Sequence, residues 1–281
     1  MEKKLRKPEW LRINLGNNDN FSTTGKIIKG RSLHTICESG KCPNRGECWN
    51  RKTATLMIAG DICTRSCKFC NTKSGKPLPL DLDEPAKIAE SIRLLGLKHA
   101  VITSVDRDDL PDYGSLHWAN TISEVKKVNP EVTLEVLIPD FRGDKECIQK
   151  VIDTSPDIIS HNIETVERLT PFVRSVAKYS ISLAVLKQVA SSGIAAKSGL
   201  MIGLGETKDE VVATMKELFS AGCTLLSIGQ YLQPAKKNIP VMEYFPPETF
   251  SEYKHIALNI GFNHVESGPL VRSSYHSIDY L

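Results

Sequence analysis

Cysteine is the residue type in this sequence with the clearest capacity for chemistry. Six of its eight cysteines, Cys37, Cys42, Cys48, Cys63, Cys67 and Cys70, fall within 34 positions and form two triplets. Cys63-Thr-Arg-Ser-Cys67-Lys-Phe-Cys70 is a C-x3-C-x2-C run. Cys37-Glu-Ser-Gly-Lys-Cys42-Pro-Asn-Arg-Gly-Glu-Cys48 is a C-x4-C-x5-C run. Three close thiolates can hold three irons of a cubane 4Fe-4S cluster, whereas an electron-transfer cluster closes every iron with a fourth cysteine. The iron left over is an open coordination position, which a reactive metal centre requires. Disulfides are a poorer reading, since such frameworks belong to small secreted domains and 281 residues can build a core unaided. A zinc knuckle is poorer too, because no histidine stands within a few residues of Cys70. In the first triplet Gly40, Pro43 and Gly46 suit a tightly turned loop wrapped around a second cofactor. Cys147 and Cys223 read as small buried hydrophobes.

Positioning these thiols is the task of a repeated strand and helix pattern. Six apolar runs, 54–60, 99–105, 132–138, 157–163, 196–202 and 224–230, have the continuous character of parallel strands covered on both faces. Helix-period stripes lie between them: Pro85 with Ala89, Ile92 and Leu95; Leu116, Ala119, Ile122 and Val125; Cys147 with Val151. Leu183, Leu186 and Val189, then Val211, Met215 and Leu218, then Phe250, Tyr253 and Ala257 complete the set. Six βα units predict an α/β fold with a partial (β/α)6 barrel, two units short of an eightfold one, carrying its chemistry at the carboxyl ends of the strands. The expected division is an N-terminal extension over 1–53 with the first triplet, the barrel over 54–262 and a tail over 263–281.

That placement nominates cofactor contacts at strand ends: Thr103, Ser104 and Asp106, then Asn162 and Glu164, then Gly203 and Gly205. Glu164 suits ribose hydroxyls. Gly203-Leu-Gly205 lacks the third glycine of a dinucleotide fingerprint, and a capping box of Thr207 with Glu210 follows it. His161 and His276 are weaker candidates for orienting a ligand, a local hydrogen bond being the plainer role, and Lys3, Lys4, Arg6 and Lys7 form a basic arm that reads first as a solvated terminus and second as a surface steering an acidic carrier domain.

Lys plus Arg total 36 against 33 Asp plus Glu, a net charge of +3 that does not suit a protein built to bind nucleic acid. No apolar run approaches the ~18 residues of a membrane span. The basic start has no apolar core behind it, so a cytoplasmic protein is expected.

The C-x3-C-x2-C run on a six-unit barrel resembles the signature of the radical S-adenosylmethionine (SAM) superfamily. The first triplet, DRDDLPDYG at 106–114, HNIET at 161–165, KSGLMIGLGE at 197–206, GQYLQP at 229–234 and RSSYHS at 272–277 narrow the resemblance to the lipoyl synthase family. The resemblance implies insertion of two sulfur atoms into an octanoyl chain on a carrier lysine. Such a methylene has no acidic proton, so no general base can activate it and a radical is needed.

It implies two 4Fe-4S clusters. One, at Cys63, Cys67 and Cys70, delivers an electron to S-adenosylmethionine at its open iron. The other, at Cys37, Cys42 and Cys48, donates sulfur, with Ser274, or less favoured Ser273, as fourth ligand. A serine oxygen is a harder ligand than thiolate and leaves iron more readily. Arg272 would add positive charge. The implied partners are octanoylated lipoyl domains of 2-oxoacid dehydrogenase E2 subunits, the glycine cleavage H protein, and an electron donor such as ferredoxin or flavodoxin. Ala235-Lys236-Lys237-Asn238 departs from the Ser or Thr and histidine expected after GQYLQP. An iron-sulfur electron carrier or cluster scaffold, and a biotin-synthase-like sulfur inserter, are the alternative readings.

Overall fold

The computed structural model describes residues 6–12, 19–51 and 53–274. The N-terminal part contains α1 (Asp19–Gly30), β1 (His34–Thr35), α2 (Ile36–Ser39) and α3 (Arg45–Asn50). Then come β2 (Thr55–Ile58), a small ribbon of β3 (Ile62–Cys63) and β4 (Lys73–Ser74), α4 (Glu84–Leu95), β5 (His99–Ser104), α5 (Ser115–Val128), β6 (Thr133–Leu137) and α6 (Lys145–Asp153). The second half runs β7 (Ile158–Ser160), α7 (Thr170–Val173), α8 (Tyr179–Ser191), β8 (Ala195–Ile202), α9 (Lys208–Ser220), β9 (Leu225–Gln230), α10 (Pro247–Ile260) and β10 (His264–Gly268).

The main sheet has the order β1-β2-β5-β6-β7-β8-β9-β10, parallel except for β1. All six expected strands are present. The sheet curls, because Thr55 on β2 and Gly229 on β9, near its opposite ends, line one cavity. It also goes beyond six units. β10 pairs in parallel with β9, so the segment expected to be tail from 263 begins with a barrel strand. His264-Val-Glu-Ser-Gly268 buries only Val265 and has no apolar run, as suits a strand at the rim of a sheet.

The helical stripes form two apolar layers, one where α4, α5 and α6 cover β2, β5 and β6, the other where α8, α9 and α10 cover β8 and β9. Pro85 lies in the first turn of α4, and Gly96 closes it in the left-handed conformation at φ +64°. Thr207 and Glu210 form both bonds of the capping box of α9. One stripe is corrected. Leu116 faces solvent, and α5 instead buries Trp118, Ile122 and Val125.

On the amino side of Leu137 and Gly199 the barrel interior is plugged by a polar cluster. Lys197 donates to Glu135 at 2.9 and 3.1 Å, and Ser160 donates to the same carboxylate at 2.7 Å. Burial opposes charge on Glu135, yet Lys197 holds its carboxyl below the ordinary range. The opposite end is left open for chemistry.

Candidate functional site

The second triplet is a pinned loop. Cys63 closes β3 directly after the first barrel strand, and the Arg65 side chain, buried between the cysteines, reaches three carboxylates. Its guanidinium donates to Asp108 at 2.8 Å twice and to Asp140 at 2.7 and 3.0 Å, with Asp106 at 3.3 Å. The thiol loop is thus bolted to the loops after β5 and β6. Burial would raise the carboxyl of Asp140, but Arg65 brings it down to about 2. On the other side, Lys68 N donates to Val173 O at 2.9 Å, and Asn238 Nδ2 donates to Lys68 O at 3.1 Å and Cys70 O at 2.8 Å. Asn238, in the segment that departs from the expected pattern, therefore holds the thiol loop.

The first triplet is not the plain loop its glycines suggest. Cys37 lies on α2 and Cys48 on α3, with Cys42 between them. Thr35 caps α2 by accepting from Glu38 N at 3.3 Å. The three thiols are electrostatic neighbours of one another. Burial pushes Cys37 up to about 11 and Cys48 up to about 12, with a neighbouring sulfur adding to each.

The C-terminal segment closes this triplet from a distance. Asn44 Nδ2 donates to Leu270 O at 2.7 Å. Burial raises Cys42, and the Arg272 guanidinium nearby partly offsets that. Thr55 links its far ends: its backbone bonds the Cys37 sulfur, and its hydroxyl donates to Ser274 Oγ at 2.7 Å. Ser273 turns the other way and accepts from Asn162 Nδ2 at 2.7 Å.

Both triplets open onto one cavity of about 540 Å³ at the carboxyl ends of the strands. Cys37, Cys42, Cys63, Cys67, Cys70 and Ser274 line it, together with Thr103, Ser104, Asp106, Asn162 and Glu164. Thr103 donates to Leu137 O at 3.1 Å, and Ser104 accepts from Trp118 Nε1 at 3.2 Å. Glu164 sits at φ +68° with its carboxyl raised by burial, and Asn162 donates to it at 3.1 Å. Glycines let chain segments pass closely here. A Cβ on Gly229 would stand 2.2 Å from Val271 O, and one on Gly199 2.6 Å from Asn162 Oδ1.

Several nominated residues lie elsewhere. Cys48 stands behind Cys37 and Cys42, outside the cavity lining. Gly203 is also outside it, at φ +100° under Gln230, where any Cβ would meet Nε2 at 2.1 Å; its role is backbone packing. His161 is wall material, with Nδ1 against Ile138 O and Nε2 against Ser182 Oγ, both at 2.9 Å. Burial brings it down to about 4, so it stays neutral. Lys7 reaches the cavity rim, while Lys3, Lys4 and His276 lie outside the described residues. Cys147 and Cys223 are buried as expected. Sequence reasoning missed Arg65, Asn44 and Asn238. An arginine inside a cysteine triplet, needing counter-charges that Asp106 and Asp108 supply, was the available signal for the first.

The donor set fits iron-sulfur clusters and a polar ligand. Among the described residues no three His, Cys, Asp or Glu side chains converge at single-ion distance. In a cubane each thiolate binds a different iron, so its ligands stand further apart than those of one ion. Asn162 Oδ1 is buried against the cavity without a partner among the described residues, an acceptor held ready for a donor on a bound molecule.

Residues 57–218 match the family model described as Radical SAM superfamily. The chain is 62% identical over 281 residues to the lipoyl synthase of Parabacteroides distasonis, covering 100% of both. It is 57% identical to that of Porphyromonas gingivalis, again over 100% of each, and 56% identical to that of Treponema denticola over 97% of this chain and 94% of that one. The chain belongs to the lipoyl synthase family. Solved structures carry the fold alone. Methylornithine synthase superposes with a TM-score of 0.56 at 12% identity, covering 89% of this chain and 83% of that one. A maturase of the FeFe-hydrogenase gives 0.55 at 14%, covering 90% and 62%.

As in other lipoyl synthases, the activity is radical SAM-dependent synthesis of the lipoyl cofactor on an octanoylated carrier. A 4Fe-4S cluster and S-adenosylmethionine come with that superfamily. The electron-carrier and biotin-synthase-like readings fall away. Among the described residues no helix is long and apolar enough to cross a membrane.

Proposed function

We propose that this lipoyl synthase divides the cavity between two clusters, one at Cys63, Cys67 and Cys70 and the other at Cys37, Cys42, Cys48 and Ser274. When bound, the first with S-adenosylmethionine supplies the hydrogen-abstracting radical and the second supplies sulfur. The observation that carries this reading is that thiols of both triplets face one cavity, with Ser274 joined to Cys37 through the single residue Thr55. That bridge favours Ser274 over Ser273, whose hydroxyl is engaged by Asn162.

This chain's own residues then have separate tasks. Arg65 holds the loop of the first cluster rigid through its carboxylates. Asn162 and Glu164 offer an acceptor and a carboxyl to the polar groups of S-adenosylmethionine, and Thr103 and Ser104 form the floor beside them. Arg272 places a cation beside Cys42, where a cluster would concentrate negative charge. The octanoyl chain would lie in the space between, fed by a lipoyl domain of an E2 subunit or by the H protein, in the cytoplasm.

Anaerobic reconstitution should load about eight irons, two cubanes' worth. Cys63→Ser should leave about four. An octanoylated carrier peptide should gain two sulfurs and lose two hydrogens by mass spectrometry. Full activity with only one cluster loaded would overturn the division.

A further inference from the structure

From a cationic surface that borders the cavity, we infer that the face behind the Cys67 loop, centred on Phe172, is the docking site of an acidic one-electron carrier protein. The inference rests on the assignment of Cys63, Cys67 and Cys70 to the first cluster. Three segments meet on this face, 66–77, 170–180 and 231–242. They are tied together by the bonds from Lys68 to Val173 and from Asn238 to Lys68 and Cys70. Together they contain seven Lys and Arg residues and no Asp or Glu, in a chain whose net charge is only +3; of the seven, Arg174 is buried and Lys73 pairs with Asp61 at 2.7 Å. Lys68, Lys178, Lys236 and Lys237 are exposed, and none has a carboxylate partner among the described residues. A concentration of one charge sign against the average of the chain marks a surface that steers an oppositely charged partner.

An apolar anchor sits in the middle of these cations. Phe172 is 53% exposed and Val176 38%, although their neighbours Val173 and Arg174 are buried. Lys68 Nζ lies 3.9 Å from the centre of the Phe172 ring, so the aromatic face is joined to the charged one. An exposed aromatic among cations has the makeup of an interface centre with a charged rim.

The wall here is one residue thick. Cys67 lines the cavity while Lys68, the next residue, faces solvent. Ser175 Oγ lies 3.8 Å from Cys67 Sγ and accepts from Ser66 N at 3.2 Å, and Ser175 belongs to the same segment as Phe172. Electron transfer falls steeply with distance, and a carrier seated on Phe172 would rest on the segment whose Ser175 touches Cys67. The step is simple in balance. The reduced carrier loses one electron, the thiol-held centre gains it, and no bond or proton moves at this surface. A carrier of the octanoyl chain has a different need, since its acylated lysine must enter the cavity, whose lining includes none of Phe172, Lys178, Lys236 and Lys237.

The test uses the reconstituted holoenzyme and reduced flavodoxin, an acidic one-electron flavoprotein. The variants are Phe172→Ser and the triple charge reversal Lys178→Glu, Lys236→Glu, Lys237→Glu. For each, the flavodoxin dissociation constant at low ionic strength should rise about tenfold. Flavodoxin-driven cleavage of S-adenosylmethionine should fall in step. Cleavage driven by dithionite, which needs no docking, should stay unchanged, as should its dithionite-driven KM for octanoylated carrier.

Unchanged flavodoxin affinity in the charge-reversal variant, whose exposed sites tolerate substitution, overturns the proposal whatever Phe172→Ser does. A raised KM for octanoylated carrier with unchanged flavodoxin affinity also overturns it, and gives the surface to the substrate protein. Absence of dithionite-driven cleavage in the unaltered enzyme would count instead against the cluster assignment, because flavodoxin affinity is read separately.

Discussion

Cys63, Cys67 and Cys70 stand on a loop held from within the barrel by one buried arginine and three carboxylates, whereas Cys37 and Cys48 stand on two short helices, with Cys42 between them, closed by residues more than two hundred positions away. The difference teaches how one cavity can contain a fixed support and a closable one. The first is overdetermined: the guanidinium fork, Asn238 and the Val173 carbonyl all hold it. The second has its own helix cap, but its last side is supplied by the 270–274 segment, through single hydrogen bonds. A wall held by single hydrogen bonds outside the barrel strands can be opened without disturbing the barrel.

Breaking the first support should have the largest effect. Arg65→Ala leaves Asp106 and Asp140 without their cation while Asp108 keeps Arg142 at 3.1 Å, and loss of one partner of a buried ion pair costs about 3–5 kcal/mol. Denaturant unfolding should show that loss, and the iron that disappears should be that of the second triplet in the sequence, with the first triplet's retained. Equal iron loss from both would show that the two supports are one.

Acid should attack the same region next. His161, buried beside Asp140, is brought down to about 4 from an ordinary value near 6.5. The unfolded chain therefore binds the proton first, so stability is full above pH about 6.5 and falls as pH drops toward 4, by about 3 kcal/mol. Unfolding free energies at pH 7 and pH 4.5 measure this. A His161→Gln variant should lose most of the slope, and an unaltered slope would reject the assignment.

The closable support is probed with smaller changes. Gly229→Ala puts a methyl 2.2 Å from Val271 O, and overpacking of this kind costs about 1–3 kcal/mol. Because the strain is relieved by moving the 270–274 segment, iron should be lost at Cys37, Cys42 and Cys48 while Cys63, Cys67 and Cys70 keep theirs. Asn44→Ala, which deletes one hydrogen bond to Leu270 O, should cost about 1 kcal/mol and shift the same iron to easier chelation. Chelator titrations followed by iron spectroscopy distinguish the two sites. Loss from Cys63, Cys67 and Cys70 in either variant would erase the contrast.

Much of this was legible beforehand because it is local. Apolar runs with continuous character gave six strands, helical stripes gave the outer layer, and three cysteines within eight positions can only meet one centre. The Thr207 and Glu210 box depends on four consecutive residues and was found as expected. Illegible features had no local signature. β10 buries one side chain, so it has no pattern to read. Leu116 follows the helical period of α5, yet the buried face is set by where Trp118 meets Ser104. His161 beside a strand end reads first as a local hydrogen-bonding histidine and only second as a group that orients a ligand, and its two partners in the wall make it a strut.

By itself the sequence determined which atoms do the chemistry, since thiol identity and spacing are covalent facts, and it determined the strand and helix alternation, since burial is written in side-chain periodicity. Tertiary structure alone decided which residues meet. Arg65 with Asp140, Asn44 with Leu270 and Thr55 with Ser274 are separated by 75, 226 and 219 positions. A hydrogen bond carries no trace along the chain of how far apart its partners began, so contacts of this kind become visible only once the sheet has curled and its two ends share a cavity.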